Sequence, residues 1–358
     1  MATIAEPEGD LAWSEVYPKL SRLMRSRSWV NGLYITREYA LLVPIVAGSV
    51  WMYAAWRADQ FPTALFLPLT VLSVIAIGAV QHRLSGLGHE ASHYSLFHNK
   101  LVNDLVSDLF LMFPTFSITQ QFRATHLDHH RFVNDPERDP DVRRLGNGVE
   151  GAFPLPKGRF LARYVFGSLW PPRLVRYVLG QGHNAGVFAR GSKVLRNAYP
   201  LWLAVTMLVV FWAVILGTIY VVTGGRAFLL FWCVPLLTSY SFFMQLREIA
   251  HHSNAPNAGD LTNSRVFRIH PLLNACVFPY GQDFHLTHHL FGILPHYHAA
   301  EAHAVLMRYP PYRENVVICR GYFSRTPGTT GPSVLDVLSG PRHESVPVRL
   351  HPRAGPAA

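Results

Sequence analysis

Three short motifs in the 358-residue chain place imidazoles at helical spacing. HEASH carries His89 and His93, HLDHH carries His126, His129 and His130, and HLTHH carries His285, His288 and His289. Residues three and four apart share a face of an α-helix. Each motif is therefore expected to present two or three rings in one direction, as a metal ion requires. One HxxxH would be weak, since a satisfied surface or core pair explains it as well. Two HxxHH motifs together with HxxxH point to metal. A further pair, His251 and His252, stands in REIAHH. These are too many ligands for one ion. Imidazole suits iron, copper, nickel and zinc alike, so ligand type leaves the metal open.

Two other chemistries compete for these residues. HEASH also satisfies HExxH, in which two histidines hold zinc and Glu90 would act as the general base of a membrane metalloprotease. That reading leaves both HxxHH motifs unexplained. A metal transporter would need ionisable groups inside its membrane spans, and the spans below have none. The three cysteines, Cys233, Cys276 and Cys319, are odd in number and far apart, so they define neither a disulfide framework nor a metal site.

The elements that must position the histidines are written in hydropathy. The chain is 49% hydrophobic and 15% charged, against about 25% charged in soluble domains. Four apolar runs, residues 39–56, 61–80, 199–222 and 228–246, contain no Asp, Glu, Lys, Arg or His. Each is near the ~20 residues that cross a bilayer as a helix. Short polar turns join them in pairs. The expected fold is an all-α integral membrane protein with four transmembrane helices in two hairpins and a cytoplasmic helical cap holding the metal site. Only Arg57 and Arg226 lie in the two hairpin turns, and the other 30 Lys and Arg fall in residues 1–38, 81–198 and 247–358. Basic residues stay cytoplasmic, which places both termini and all nineteen histidines on one side. The N-terminus lacks the basic end and apolar core of a cleavable signal.

The rest of the chain is read more coarsely. Residues 1–38 form a cytoplasmic segment whose stretch 11–30 has the spacing of an amphipathic helix on the membrane surface. Residues 101–122 are apolar but interrupted by Asp104, Asp108 and Pro114, and are expected to tuck under the membrane rather than cross it. Residues 158–180 suggest two short interfacial helices broken at Pro171 and Pro172. The membrane domain would occupy 39–325, and the Pro-, Gly- and Ser-rich residues 326–358 a disordered tail. The net charge of +10 would suit nucleic acid, anionic lipid or an acidic partner; the apolar runs favour the last two and exclude nucleic acid. The 28 Arg against 4 Lys fit a GC-rich bacterial genome.

GHEASHYSLFHNKLVND, HLDHHRFVNDPERDPD and HLTHHLFGILPHY, with Pro295 and Tyr297 after the third motif, resemble the membrane fatty-acid desaturase family over roughly residues 40–310. The resemblance implies two ferrous ions, dioxygen as oxidant and electrons from an external donor. By position it implies His89, His93, His126, His129, His130, His285, His288 and His289 as ligands, with His252 as a ninth. In many relatives a Glu precedes that ninth histidine, whereas here it is His251. Where relatives hold a water through Asn one turn earlier, this chain has Glu248, which with Gln245 is expected to hold a water near the same metal. Carboxylates that orient the rings are expected among Asp128, Asp135, Asp139, Asp141 and Asp283, one or two of them acting so. His82, on the face of His89, suits a supporting polar role better than ligation. His98, His183, His270, His296, His298, His303, His343 and His351 are expected to be surface or structural residues.

The family resemblance implies desaturation of an aliphatic, foremost fatty acyl, chain in the bacterial inner membrane. The same core can hydroxylate instead, or act on a small molecule, as in the relative that makes the vinyl ether of rhizobitoxine. No heme motif or cysteine cluster is present, so electrons would come from an acidic ferredoxin or cytochrome meeting the basic face.

Overall fold

A computed structural model of the chain describes residues 9–142, 153–189, 191, 197–223, 225–256 and 259–342. After α1 (Trp13–Leu23) come two 30-residue helices, α2 (Ser28–Arg57) and α3 (Thr63–Ser92). At 1.5 Å per residue each is about 45 Å long, more than the ~30 Å of bilayer hydrocarbon. The apolar run 39–56 fills only the C-terminal part of α2, and the run 61–80 only the N-terminal part of α3, which continues past residue 80 to carry His89 on the same rod. Two further helices complete a set of four long and apolar enough to cross a membrane: α7 (Leu201–Thr223) and α8 (Arg226–His252). Trp51, Val71 and Val209 are more than half exposed on them. So much outward apolar surface calls for a non-aqueous surrounding.

Polar groups on these helices are paired where they are buried. Glu38 of α2 is fully buried and accepts from Nε and Nη2 of Arg83 on α3, 2.7 Å each, and from the Tyr280 hydroxyl. Ser239 of α8 donates to the Val74 carbonyl of α3 at 2.6 Å. This close approach needs Gly78, where a Cβ would sit 2.7 Å from the Tyr240 backbone nitrogen. The α8 helix widens into π turns at Leu229–Cys233 and Leu236–Tyr240, on either side of Pro235.

The interrupted segment after α3 is bent, not straight. Lys100–Thr115, beginning with α4 (Lys100–Ser107), meets α5 (Thr119–Arg131) at 87°. Its acids make the bend: Asp104 pairs with the buried Arg123 of α5, and Asp108 accepts from the Thr119 N–H and hydroxyl at 2.8 and 2.6 Å. Lys157–Phe160 runs into a π turn, and α6 (Pro171–Ala185) starts at the two prolines. Beyond α8 the chain also forms α9 (His285–Leu290) and α10 (Ala299–Leu306). The only strands among the described residues, β1 (Val266–Arg268) and β2 (Ile318–Arg320), pair in parallel.

Two expectations about the ends need correction. The apolar side of α1 is not left for a bilayer: Val16 and Leu20 are fully buried in a cluster with Leu286, Ala302 and Tyr312, and Trp13 stacks on Phe291. Within the segment expected to be disordered, α11 (Val334–Ser339) has a capping box from Ser333 to Asp336 and buries Val334, Leu335, Val337 and Leu338. Four apolar residues in six suffice once a core already exists to receive them. Residues 343–358 of that tail lie outside the described residues.

Candidate metal centre

All nine histidines expected as ligands converge, and they sort into two groups. His89, His93, His126, His130 and His288 form one; His129, His252, His285 and His289 form the other. Within each group the nearest ring nitrogens lie within 4.8 Å of one another. The expectation that each motif points one way is therefore corrected. His126 and His130, four apart on α5, face the first group, while His129 turns to the second. On α9, His285 and His289 face the second group, while His288 turns to the first. Neighbouring residues on a helix diverge by about 100°, so the HH pair of each HxxHH motif divides between the two groups.

The donor set fits metal. In the first group, Nε2 of His126 is 2.9 Å from that of His93 and 3.0 Å from that of His130, which is 3.0 Å from that of His288. In the second, Nε2 of His285 is 2.9 Å from that of His252 and 3.1 Å from that of His289. Two nitrogens bonded to one ion at ~2.0–2.1 Å stand about 3 Å apart at a right angle and about 3.4 Å apart in a tetrahedron. The observed spacing is one that nitrogens sharing a single ion can adopt. Burial, reinforced by the adjacent rings, holds His126, His130, His285, His288 and His289 well below the usual imidazole range, and His93 is pushed down to about 3. Neutral rings are what a metal needs.

Surrounding groups orient the rings. Asp139, fully buried, sets both carboxylate oxygens 2.9 Å from Nδ1 of His129, and Asp141 stands 3.8 Å from the same nitrogen. Of the other acids proposed for this task, Asp135 is a turn cap paired with Arg138. Asp283 is hydrogen-bonded to Asn274 and is raised by burial to about 6. His89 has Nδ1 3.0 Å from the Gln282 amide, and its Nε2 has no protein partner. The Asn263 carbonyl accepts from Nδ1 of His252 at 3.1 Å. Gln282 and Asn263 carried no signal in the sequence; only their place beside a motif and a loop could have suggested them.

The uncertain histidines are also placed. His251 joins neither group: its Nε2 donates to the Gln282 carbonyl at 3.0 Å and its ring stacks on His285 with centroids 3.5 Å apart. His82 is buried with Nδ1 2.7 Å from the Cys276 carbonyl. His296 and His303, expected as surface or structural, are both buried, His296 beside Glu90 and His303 against the Tyr312 hydroxyl. Gln245 does not face the metal groups; it lines a small groove with Ser168 and Tyr177. Glu248 accepts from Tyr177 at 2.9 Å and Gln181 at 3.2 Å, both on α6.

A cavity of about 360 Å³ opens against both groups, touching His89, His126, His129, His252 and His285. The π turns of α8 turn Cys233, Leu236, Leu237 and Tyr240 into its wall, and the bend before α5 adds Met112 and Phe116. Such turns recur at functional sites because they re-aim side chains without ending the helix.

The sequence model of the fatty acid desaturase family matches residues 62–321. The chain is similar to a dihydrorhizobitoxine desaturase of Bradyrhizobium elkanii, 27% identical over 343 residues that cover 90% of this chain and 88% of that protein. It is also similar to an sn-1 oleoyl-lipid 12-desaturase of Anabaena variabilis, 27% identical over 78% of this chain and 76% of that one. An oleoyl-12-hydroxylase of Ricinus communis is 26% identical over 63% and 62%. With its histidine motifs and most of its length inside the matched region, this chain belongs to the fatty acid desaturase family.

Proposed function

We propose that the chain is a membrane-bound, dioxygen-dependent di-iron desaturase that introduces a C=C bond into an aliphatic chain. The observation that carries this reading is the partition of the nine histidines into a group of five and a group of four beside one cavity. When bound, two ferrous ions would activate dioxygen; the net reaction removes two hydrogens from adjacent carbons and, with two protons and two electrons, reduces O2 to two waters. The protein's part is to hold the rings neutral and oriented, through Asp139 and Gln282, and to present the chain from the cavity. The second group's His129 and the first group's His126 both reach that cavity, so either can border the reacting carbons.

The four spans are read as two hairpins with the histidine-bearing segments as a cytoplasmic cap, supported by the 30-to-2 distribution of basic residues. The setting is then a bacterial inner membrane, and the donor an acidic ferredoxin or cytochrome drawn to the basic face. An acyl chain is the substrate that most family names suggest. A small polar substrate is the second reading, favoured by charged side chains in the cavity wall. The test is metal analysis of the gently purified chain, with mass spectrometry of products from acyl lipids, free acids and small aliphatic amines. Near-two iron, little zinc and a product lighter by two hydrogens are expected. One tightly held zinc with no iron would overturn the reading.

A further inference from the structure

The cavity wall contains a cation that the histidine chemistry does not explain. Arg247 sits on α8, five residues before His252, and lines the cavity. It is nine-tenths buried. Among the described residues it makes no ion pair; one hydrogen bond goes from Nη2 to the Met244 thioether at 2.7 Å, and Nε has no partner. Thioether sulfur is a weak acceptor. A buried guanidinium left so poorly matched is costly unless something else completes it. Among the described residues the other buried arginines are completed by protein: Arg123 by Asp104 and the carbonyls of Ala91 and Ser92, Arg265 by the carbonyls of Ala250 and Ser253. Glu248 shares the cavity wall with Arg247, but its oxygens accept from Tyr177 and Gln181.

We propose that Arg247 binds the carboxylate of the substrate, and that the substrate is a compact aliphatic carboxylate rather than the acyl chain of a membrane lipid. The planar fork of Arg matches a carboxylate in two parallel hydrogen bonds. Five residues of helix separate Arg247 from His252 by about 7.5 Å along the axis. A molecule anchored there presents carbons only a handful of bonds from its anionic group to the histidines. A lipid-linked acyl chain has no anion at that distance from its reacting methylenes and would leave the guanidinium facing hydrocarbon. The 360 Å³ cavity falls at the lower end of the range for small-molecule sites. The inference rests on the desaturase reading for what happens to the bound molecule, though not for the binding itself.

The test is isothermal titration calorimetry of the purified, iron-loaded full chain with hexanoate and with its uncharged counterpart hexanamide. A charge-assisted pair should favour hexanoate roughly tenfold or more. Arg247→Met should abolish that preference, and Arg247→Lys should keep part of it. Equal affinities for the two probes in the unaltered protein would overturn the proposal, whatever the variants do. So would a preference that survives Arg247→Met, or conversion of an acyl lipid by protein that ignores hexanoate, which would leave the desaturase reading standing. Selective hexanoate binding by a chain that carries no iron after gentle purification would do the opposite, supporting the anion site and removing the desaturase.

Discussion

Asp139 is bound to His129 by both of its carboxylate oxygens, each 2.9 Å from the ring Nδ1. The same carboxylate accepts the N–H groups of Asn134 and Asp141, so it also shapes the loop that follows α5. Asp139→Ala should lower metal affinity by about 10–100-fold, the usual cost of losing a ring-orienting carboxylate. Asp135→Ala, which removes a half-buried turn cap, should leave metal content unchanged. Iron per chain after dialysis against a graded chelator measures both. Equal losses would place the effect in the loop rather than in the ring.

His252→Ala should remove a nitrogen from the second group, lower iron content and abolish turnover. His251→Ala removes a ring that stacks on His285 and leaves the Gln282 carbonyl without its donor. It should cost about 1–3 kcal/mol of stability yet keep its iron and part of its rate. Metal analysis beside thermal unfolding in detergent separates the two. Matching iron loss in both variants would mean that His251, too, is needed at the metal.

Glu90 is set up as a clasp, not a base. It is buried, accepts the His296 N–H at 2.9 Å and the Ser95 hydroxyl at 3.3 Å, and does not line the cavity. Glu90→Gln should keep full iron and substantial turnover while losing about 1–3 kcal/mol of stability. Complete loss of turnover at full iron content would give the carboxylate a role in the reaction.

Single cysteines at Ala58 and Arg226, in a background without the three native ones, should react with an impermeant thiol reagent added outside intact cells. A cysteine at the exposed Glu137 should react only after the membrane is opened. Labelling of position 137 from outside would refute the proposed orientation.

Much of this site was legible because hydropathy and helical spacing are local signals. The four apolar runs needed no tertiary information, and the histidines within each motif had to lie near one another. What spacing could not give was the division of labour. His129 and His130 are adjacent in sequence and belong to different groups, a result of helix rotation together with where the two clusters sit. Asp139 was one candidate among five, since only the fold shows which acid reaches a ring. In the sequence Arg247 is merely a basic residue at the end of a span; its lack of an anionic partner among the described residues is a property of packing. The order of Val334–Ser339 was hidden by Pro- and Gly-rich flanks, because four apolar residues say little until the surface that receives them is known.

The exchange of ligands between α5 and α9 has a thermodynamic consequence. Under the proposed two-ion reading each helix is a shared beam under two loads: an ion seated in the group of five would fix α5 through His126 and His130 and α9 through His288, and so would hold His129, His285 and His289 in place for a second ion. The ordering cost of the second site is largely met by the first, which is positive coupling carried by two short rigid elements. Loading should therefore be steep, with singly occupied chains scarce at any iron concentration, and injury to one group should empty both.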